Sequence, residues 1–287
     1  MKIEAQFLRK LFAKELSELY TSTEINRIFF FILESLCGLS YTQYFTNPST
    51  EIEAEKCIES LSRLKTGEPW QYVAGETDFL SLRLKVDHRV LIPRPETEEL
   101  VLLVFEQLKN NPPLHILDVG TGSGAIALAL KKLFPGSQVT AMDFSKEILE
   151  LVEENARLNN LEIQIHHGDI NKNEFPNKNF DLIVSNPPYV MESEKKFMQK
   201  NVLHFEPHRA LFVPDNDPIV FYRKIIDFYN SSSKGLLFFE LNPATAKKVG
   251  DYAKEINLRI NFYPDSFKRL RFARINKSNE KQREDNA

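Results

Sequence analysis

The chain has 287 residues, 42% of them hydrophobic, and its 37 Lys and Arg against 40 Asp and Glu give a formal net charge of −3. That length suits two domains better than one, and an acidic balance with pI near 6.1 speaks against a surface built to hold nucleic acid. The apolar run Ile28 to Leu33 is far short of the ~20 residues that span a bilayer, Cys37 and Cys57 have no metal or redox spacing, and the N-terminus carries no signal-peptide pattern. A cytoplasmic protein with buried free thiols, no membrane partner and no metal is expected.

Residues 1 to about 75 read as a helical bundle. Phe7, Leu8, Leu11, Phe12, Leu16 and Leu19 recur at helical spacing, as do Ile25, Ile28, Phe29, Ile32, Leu33 and Leu36. Thr50 and Glu53 have capping-box spacing for a third helix that ends before Gly67 and Pro69. Over 76–96 the apolar residues Phe79, Leu82, Leu84 and Val86 alternate around a charged turn at Asp87-His88-Arg89, predicting a linking hairpin.

From Thr97 onward the periodicity switches back and forth. It predicts a helix to Leu108, strand 114–119, helix 123–134, strand 138–143, helix 146–159, strands 162–166 and 180–185, helix 218–229, strand 235–241 and helix 244–255. Such alternation argues an α/β fold, a Rossmann-like parallel sheet with helices on both faces. Segments 257–263 and 269–275 read as a terminal strand pair that closes a domain over 97–276. The polar run 277–287 reads as a disordered tail.

Two motifs carry chemistry. After the strand ending at Val119 come Gly120, Thr121, Gly122, Ser123 and Gly124, then a helical run of small residues, Ala125, Ala127 and Ala129. Glycines allow close backbone approach, and the helix start beyond them favours a negative group. Asp143, one strand later, is placed to accept both hydroxyls of a ribose, whether of NAD or of S-adenosylmethionine. The second motif is Asn186-Pro187-Pro188-Tyr189, directly after the strand that holds Leu182, Ile183 and Val184. Each proline lacks an N–H and fixes φ, so the strand stops in a stiff turn. That turn offers one side-chain amide, rigid carbonyls and one aromatic ring, which suits gripping a planar NH2 group.

Asp118 before the glycines, together with Asn186-Pro187-Pro188-Tyr189, resembles the class I S-adenosylmethionine methyltransferases that act on planar nitrogens. More narrowly, the chain resembles the release-factor glutamine methyltransferases. The likeness covers roughly Gly67 to Ile275 and includes Gly67-Glu68-Pro69 with Tyr72, Gly75 and Phe79, then Leu91-Ile92-Pro93-Arg94-Pro95-Glu96-Thr97-Glu98, and later Phe205-Glu206-Pro207 with Ala210-Leu211. Glu240-Leu241-Asn242-Pro243 departs from the glycine-containing turn common among relatives.

The resemblance implies methyl transfer from S-adenosylmethionine to the glutamine nitrogen (N5) of the Gly-Gly-Gln motif in peptide chain release factors. It implies that Gly120 to Gly124, Asp143, Asp169, Ile170 and Asn186 bind the cofactor, with the adenine near Asp169 and Ile170. Asn186, Pro187, Pro188 and Tyr189 would hold the substrate, with Asn186, Pro187 and Tyr189 catalytic. Residues 1–75 would recognise the protein partner, and the enzyme would work as a monomer. It brings the Arg94–Glu98 loop near the active site without giving it a role. A sister family that methylates a ribosomal-protein glutamine, amino-directed DNA methyltransferases, and an inactive binding module share parts of the pattern. A DNA substrate would need a basic recognition region for a flipped base.

Plainer readings compete at other positions. Asp143 could cap the following helix, and Asp169 could end an ordinary turn. His204 and His208 have i, i+4 spacing, but Pro207 between them disfavours a shared helix face. Lys268, Arg269, Arg271, Arg274 and Lys277 fit an edge strand with a solvated face better than a nucleic-acid patch.

Overall fold

The computed structural model describes residues 2–177, 179–233 and 235–277, and these form two compact units. The first holds residues up to Thr77, with Val86–His88 and Gln199–Glu206; the second holds the remainder. The expected tail lies outside the described residues from 278 onward, and Lys277 is the last residue of a strand.

The first unit is mainly helical, with helices Ala5–Leu16, Ser22–Cys37, Tyr41–Thr46, Glu55–Lys65 and Trp70–Ala74. Leu8, Phe12, Ile28, Phe29, Ile32, Leu33 and Leu64 fill one core cluster, the stripe set by their helical spacing. Capping boxes form at Thr21 with Glu24 and at Ser40 with Gln43. The box expected at Thr50 and Glu53 does not form. Glu51–Glu53 instead pairs antiparallel with Lys2–Glu4, which turns Ile52 inward, and the helix starts only at Glu55. Cross-chain pairing overrides the local capping pattern there. Cys57 is buried beside half-buried Cys37, whose thiol donates to the Glu53 carbonyl at 3.7 Å; the pairing of the two thiols lowers that of Cys37 and, with burial, raises that of Cys57.

A hairpin of Glu76–Phe79 and Leu82–Lys85 follows, turning at Leu80 (φ +50°) and Ser81 rather than at the charged Asp87-His88-Arg89. The second unit is built on a seven-stranded sheet: β1 (His115–Val119), β2 (Gln138–Asp143), β3 (Gln164–His167), β4 (Leu182–Ser185), β5 (Leu236–Glu240), β6 (Leu258–Pro264) and β7 (Leu270–Lys277). Their order is β3-β2-β1-β4-β5-β7-β6. The first five run parallel, β7 runs antiparallel to β5, and β6 antiparallel to β7. Ile116-Leu117, Leu182-Ile183-Val184 and Leu237-Phe238-Phe239 are consecutive apolar residues, all buried, as central strands covered on both faces require.

The basic segment is therefore not an edge strand, because β6 takes the edge. Arg271 donates to the Leu241 carbonyl, and Arg274 to Gln107. Strand order reverses direction between β1 and β4, and open α/β sheets bind ligands in the crevice at such a point, beyond the strands' C-terminal ends. Both sequence motifs sit there, one after each of these strands.

Candidate active site

Gly120, Gly122 and Gly124 all hold positive φ, at 72°, 55° and 83°. A Cβ on Gly120 or Gly122 would meet nothing within 4 Å, whereas one on Gly124 would reach 3.0 Å from Val152 Cγ1. The first two glycines thus keep the loop's conformation with open space beside it, and the third lets the helix Ala125–Leu133 pack closely. The N–H groups of Gly120 and Thr121 both donate to the Met142 carbonyl at 2.9 Å, pinning the loop to β2.

Two buried carboxylates lie at the root of the loop. Asp118 Oδ2 accepts from Thr121 Oγ1 at 2.6 Å and from the Ala127 N–H at 3.1 Å, the latter an otherwise unpaired donor of a first helical turn. Asp118 Oδ1 is buried without a partner. Burial pushes this carboxyl up to about 7, against the two hydrogen bonds and with a further push from Asp143. Asp143 Oδ2 accepts from the Gly122 N–H at 3.1 Å, and Oδ1 from the Ser145 N–H at 3.4 Å. Its carboxyl is raised by burial, opposed by the N–H groups of Gly122, Ser145 and Phe144.

Asn155, which the motifs do not flag, ties this loop to the hairpin. Fully buried on the helix Lys146–Leu158, its Oδ1 accepts from the Lys85 N–H at 2.7 Å. Its Nδ2 donates to the carbonyls of Lys85 (3.0 Å) and Ser123 (2.8 Å). One turn on, Asn159 repeats the pattern with the N–H and carbonyl of Arg83. Two asparagines at i, i+4 thereby pair with alternate residues of a strand. Spacing alone could have raised the pair, but helix-interior asparagines usually read as solvated.

Asp169 follows β3, and the neighbouring Gly168 N–H donates to the Asp143 carbonyl at 3.0 Å. The Asp169 side chain caps a short turn by accepting from the Asn171 N–H at 2.8 Å. Ile170 is half-buried against the main core. The turn role of Asp169 is thus real, and it leaves the residue at the same edge of the sheet as Asp143.

Across the crevice, Ser185 at the end of β4 donates to the Val119 carbonyl at 2.6 Å, joining the start of the proline turn to the start of the glycine loop. Asn186 Nδ2 donates to Thr97 Oγ1 at 3.0 Å. Thr97 in turn donates to Glu240 Oε2 at 2.7 Å, and Tyr189 donates to Glu240 Oε1 at 3.0 Å. Tyr222 donates to the Glu240 main-chain carbonyl at 3.0 Å, and Asn242 Nδ2 donates to the Tyr189 carbonyl at 3.1 Å. Burial raises the Glu240 carboxyl; the bonds from Thr97 and Tyr189 and the charge of Arg271 oppose this, while Glu96 adds to it.

The loop Arg94–Glu98 and the divergent turn Glu240–Pro243, neither of which had a role from sequence, therefore meet behind the Asn-Pro-Pro-Tyr turn. Asn186 Oδ1 accepts no hydrogen bond among the described residues, so it is the turn's available side-chain acceptor. No group of His, Cys, Asp and Glu among the described residues is arranged to hold a metal.

Comparison with known proteins bears on this arrangement. Residues 100–211 match the family model described as the methyltransferase small domain. A release factor glutamine methyltransferase of Flavobacterium psychrophilum is 40% identical over 262 residues, covering 88% of this chain and 91% of its own length. One of Streptococcus pneumoniae is 44% identical over 225 residues, covering 77% and 79%. Among solved structures, a human methyltransferase 10 domain containing protein superposes with a TM-score of 0.50 at 15% identity, over 68% of this chain and 89% of that one, a likeness of fold.

Proposed function

This chain belongs to the release factor glutamine methyltransferases, and from that premise we propose that it methylates the N5 nitrogen of the glutamine in the Gly-Gly-Gln motif of peptide chain release factors. The methyl donor is S-adenosylmethionine, which supplies an electrophilic methyl on a sulfonium with a neutral leaving group. The residues present suit that cofactor. Space lies open beside Gly120 and Gly122, Asp143 offers carboxylate oxygens one strand over, and half-paired Asp118, where ionised above about pH 7, places negative charge beneath the loop, a field favourable to a cation. Gly120 to Gly124, Asp143, Asp169, Ile170 and Asn186 are the residues proposed to hold it.

The weak reactant is the amide nitrogen, whose lone pair is shared with its carbonyl; that resonance underlies an amide rotational barrier of ~18–20 kcal/mol. Asn186 Oδ1 and the Pro187 carbonyl would each accept one N–H of the glutamine NH2, holding the nitrogen so that its remaining lobe faces the methyl. The same acceptors favour the positive charge that grows on nitrogen as the bond forms. Fixing two reactants in line contributes up to ~7–11 kcal/mol. No strong base is required beforehand, because the alkylated amide is acidic and loses its proton afterwards. Pro188 stiffens the turn, and Tyr189, its hydroxyl tied to Glu240, would keep its ring beside the substrate amide and exclude water.

The observation that carries this reading is the Asn186 amide, anchored through its nitrogen with its oxygen left as an acceptor beside the glycine loop. Reading the enzyme as a cytoplasmic monomer acting on protein, not on DNA or a ribosomal protein, belongs to the same proposal; the relatives' shared name favours release factors. Incubation with methyl-labelled cofactor and an intact release factor should label the factor, and Gln→Ala in its Gly-Gly-Gln motif should abolish the label. Equal labelling of both factors would overturn the assignment.

A further inference from the structure

Two hydrogen bonds in series link a buried carboxylate to the Asn186 amide, and their direction is set at the carboxylate end. Glu240 is 1% exposed. An ionised carboxylate only accepts, so the single hydroxyl proton of Thr97 goes to Glu240 Oε2. The Thr97 oxygen then has only lone pairs for Asn186, and Nδ2 must be the amide atom that faces it. We propose that Thr97 and Glu240 are positioning residues that fix the orientation of the Asn186 amide, so that an acceptor and not a donor meets the substrate NH2. The inference rests on the methyl-transfer reading above.

The need for such a device is physical. The two ends of a carboxamide have nearly the same size and shape, so packing alone does not choose between them. A flipped Asn186 would set NH2 against NH2, losing a hydrogen bond and the aim of the nitrogen together. Glu240 prevents this only while its own surroundings keep it an acceptor. Burial favours the protonated form of this carboxyl; against it, Tyr189 donates to the other carboxylate oxygen and the positive charge of Arg271 favours the ionised form, while Tyr222 holds the main-chain carbonyl. With Gln at 240, a side-chain NH2 could donate to Thr97, and Thr97 could then donate to Asn186, reversing both bonds.

Steady-state kinetics on an intact release factor, with cofactor affinity and melting temperature measured alongside, tests this. Thr97→Val keeps the shape and removes the hydroxyl; it and Glu240→Gln should lower kcat about tenfold or more, while KM and cofactor Kd move less than about threefold. Thr97→Ser restores the hydroxyl and should recover kcat to within about threefold of the wild type. Thr97→Val turning over as fast as wild type, or Thr97→Ser as slow as Thr97→Val, would overturn the relay. If Glu240→Gln does not fold, the Thr97 pair decides alone. A wild-type protein that leaves the release-factor glutamine unmodified would overturn the underlying reading and the relay with it, whereas normal transfer by wild type and Thr97→Val alike overturns only the relay.

Discussion

Asp118 joins a structural load to the proposed cofactor site in one side chain. It holds Thr121 and the first turn of the helix after the loop, yet one oxygen is buried without a partner. With its folded pKa near 7 and an ordinary unfolded value near 3.9, the folded protein binds this proton more tightly. Between those values the folded state carries more protons, so the contribution of Asp118 to stability falls as pH rises from about 4 to 7 and is level above. Melting temperature without cofactor should therefore decline over that interval. Asp118→Asn should flatten the decline, matching or exceeding wild type at pH 8, and should weaken cofactor binding. Identical pH dependence in the two proteins would show that the carboxyl titrates elsewhere. The motif residues were legible because a glycine loop and a double proline act on their own backbone. Thr97 and Glu240 were not, since 143 residues separate the two sides of that hydrogen bond.

At the scale of elements, the local pattern indicated the seven strands of the main sheet and the helices between them, with ends shifted by a few residues, but not the short parallel pair Val190–Met191 with Phe212–Val213. Order in the sheet was beyond it: β7 looks like an edge strand from its arginines, and only the addition of β6 buries it. The same holds for Glu51–Glu53, whose strand pairing depends on residues at the other end of the unit. Asn155 matters most among the features that sequence left unseen. It fastens the hairpin to the Ser123 carbonyl inside the glycine loop. Asn155→Leu would leave the N–H and carbonyl of Lys85 unpaired, at a cost of ~1–3 kcal/mol for each buried group. Calorimetry should then show cofactor affinity lowered about tenfold or more, with a lower melting temperature. Unchanged affinity would make Asn155 a brace for the hairpin alone.

For the molecule as a whole, every residue proposed to touch cofactor or substrate amide belongs to the second unit, while the first has its own core. The hydrophobic pattern breaks after Gly75, whereas the first unit runs to Thr77 and also takes in Val86–His88 and Gln199–Glu206, which nothing local marked. A chain beginning at Glu76 should bind cofactor within about fivefold of the full protein yet methylate an intact release factor poorly at low concentration. Equal activity of the two would argue against recognition by the helical unit. Whether Asn186 presents the acceptor on which transfer depends is decided by single-turnover methylation of a release factor by Asn186→Ala. The rate should fall about a hundredfold or more, from a lost hydrogen bond and a misaimed nitrogen, with the melting temperature little changed. A near-normal rate would mean that the Asn-Pro-Pro-Tyr turn is structural and that the chemistry lies elsewhere.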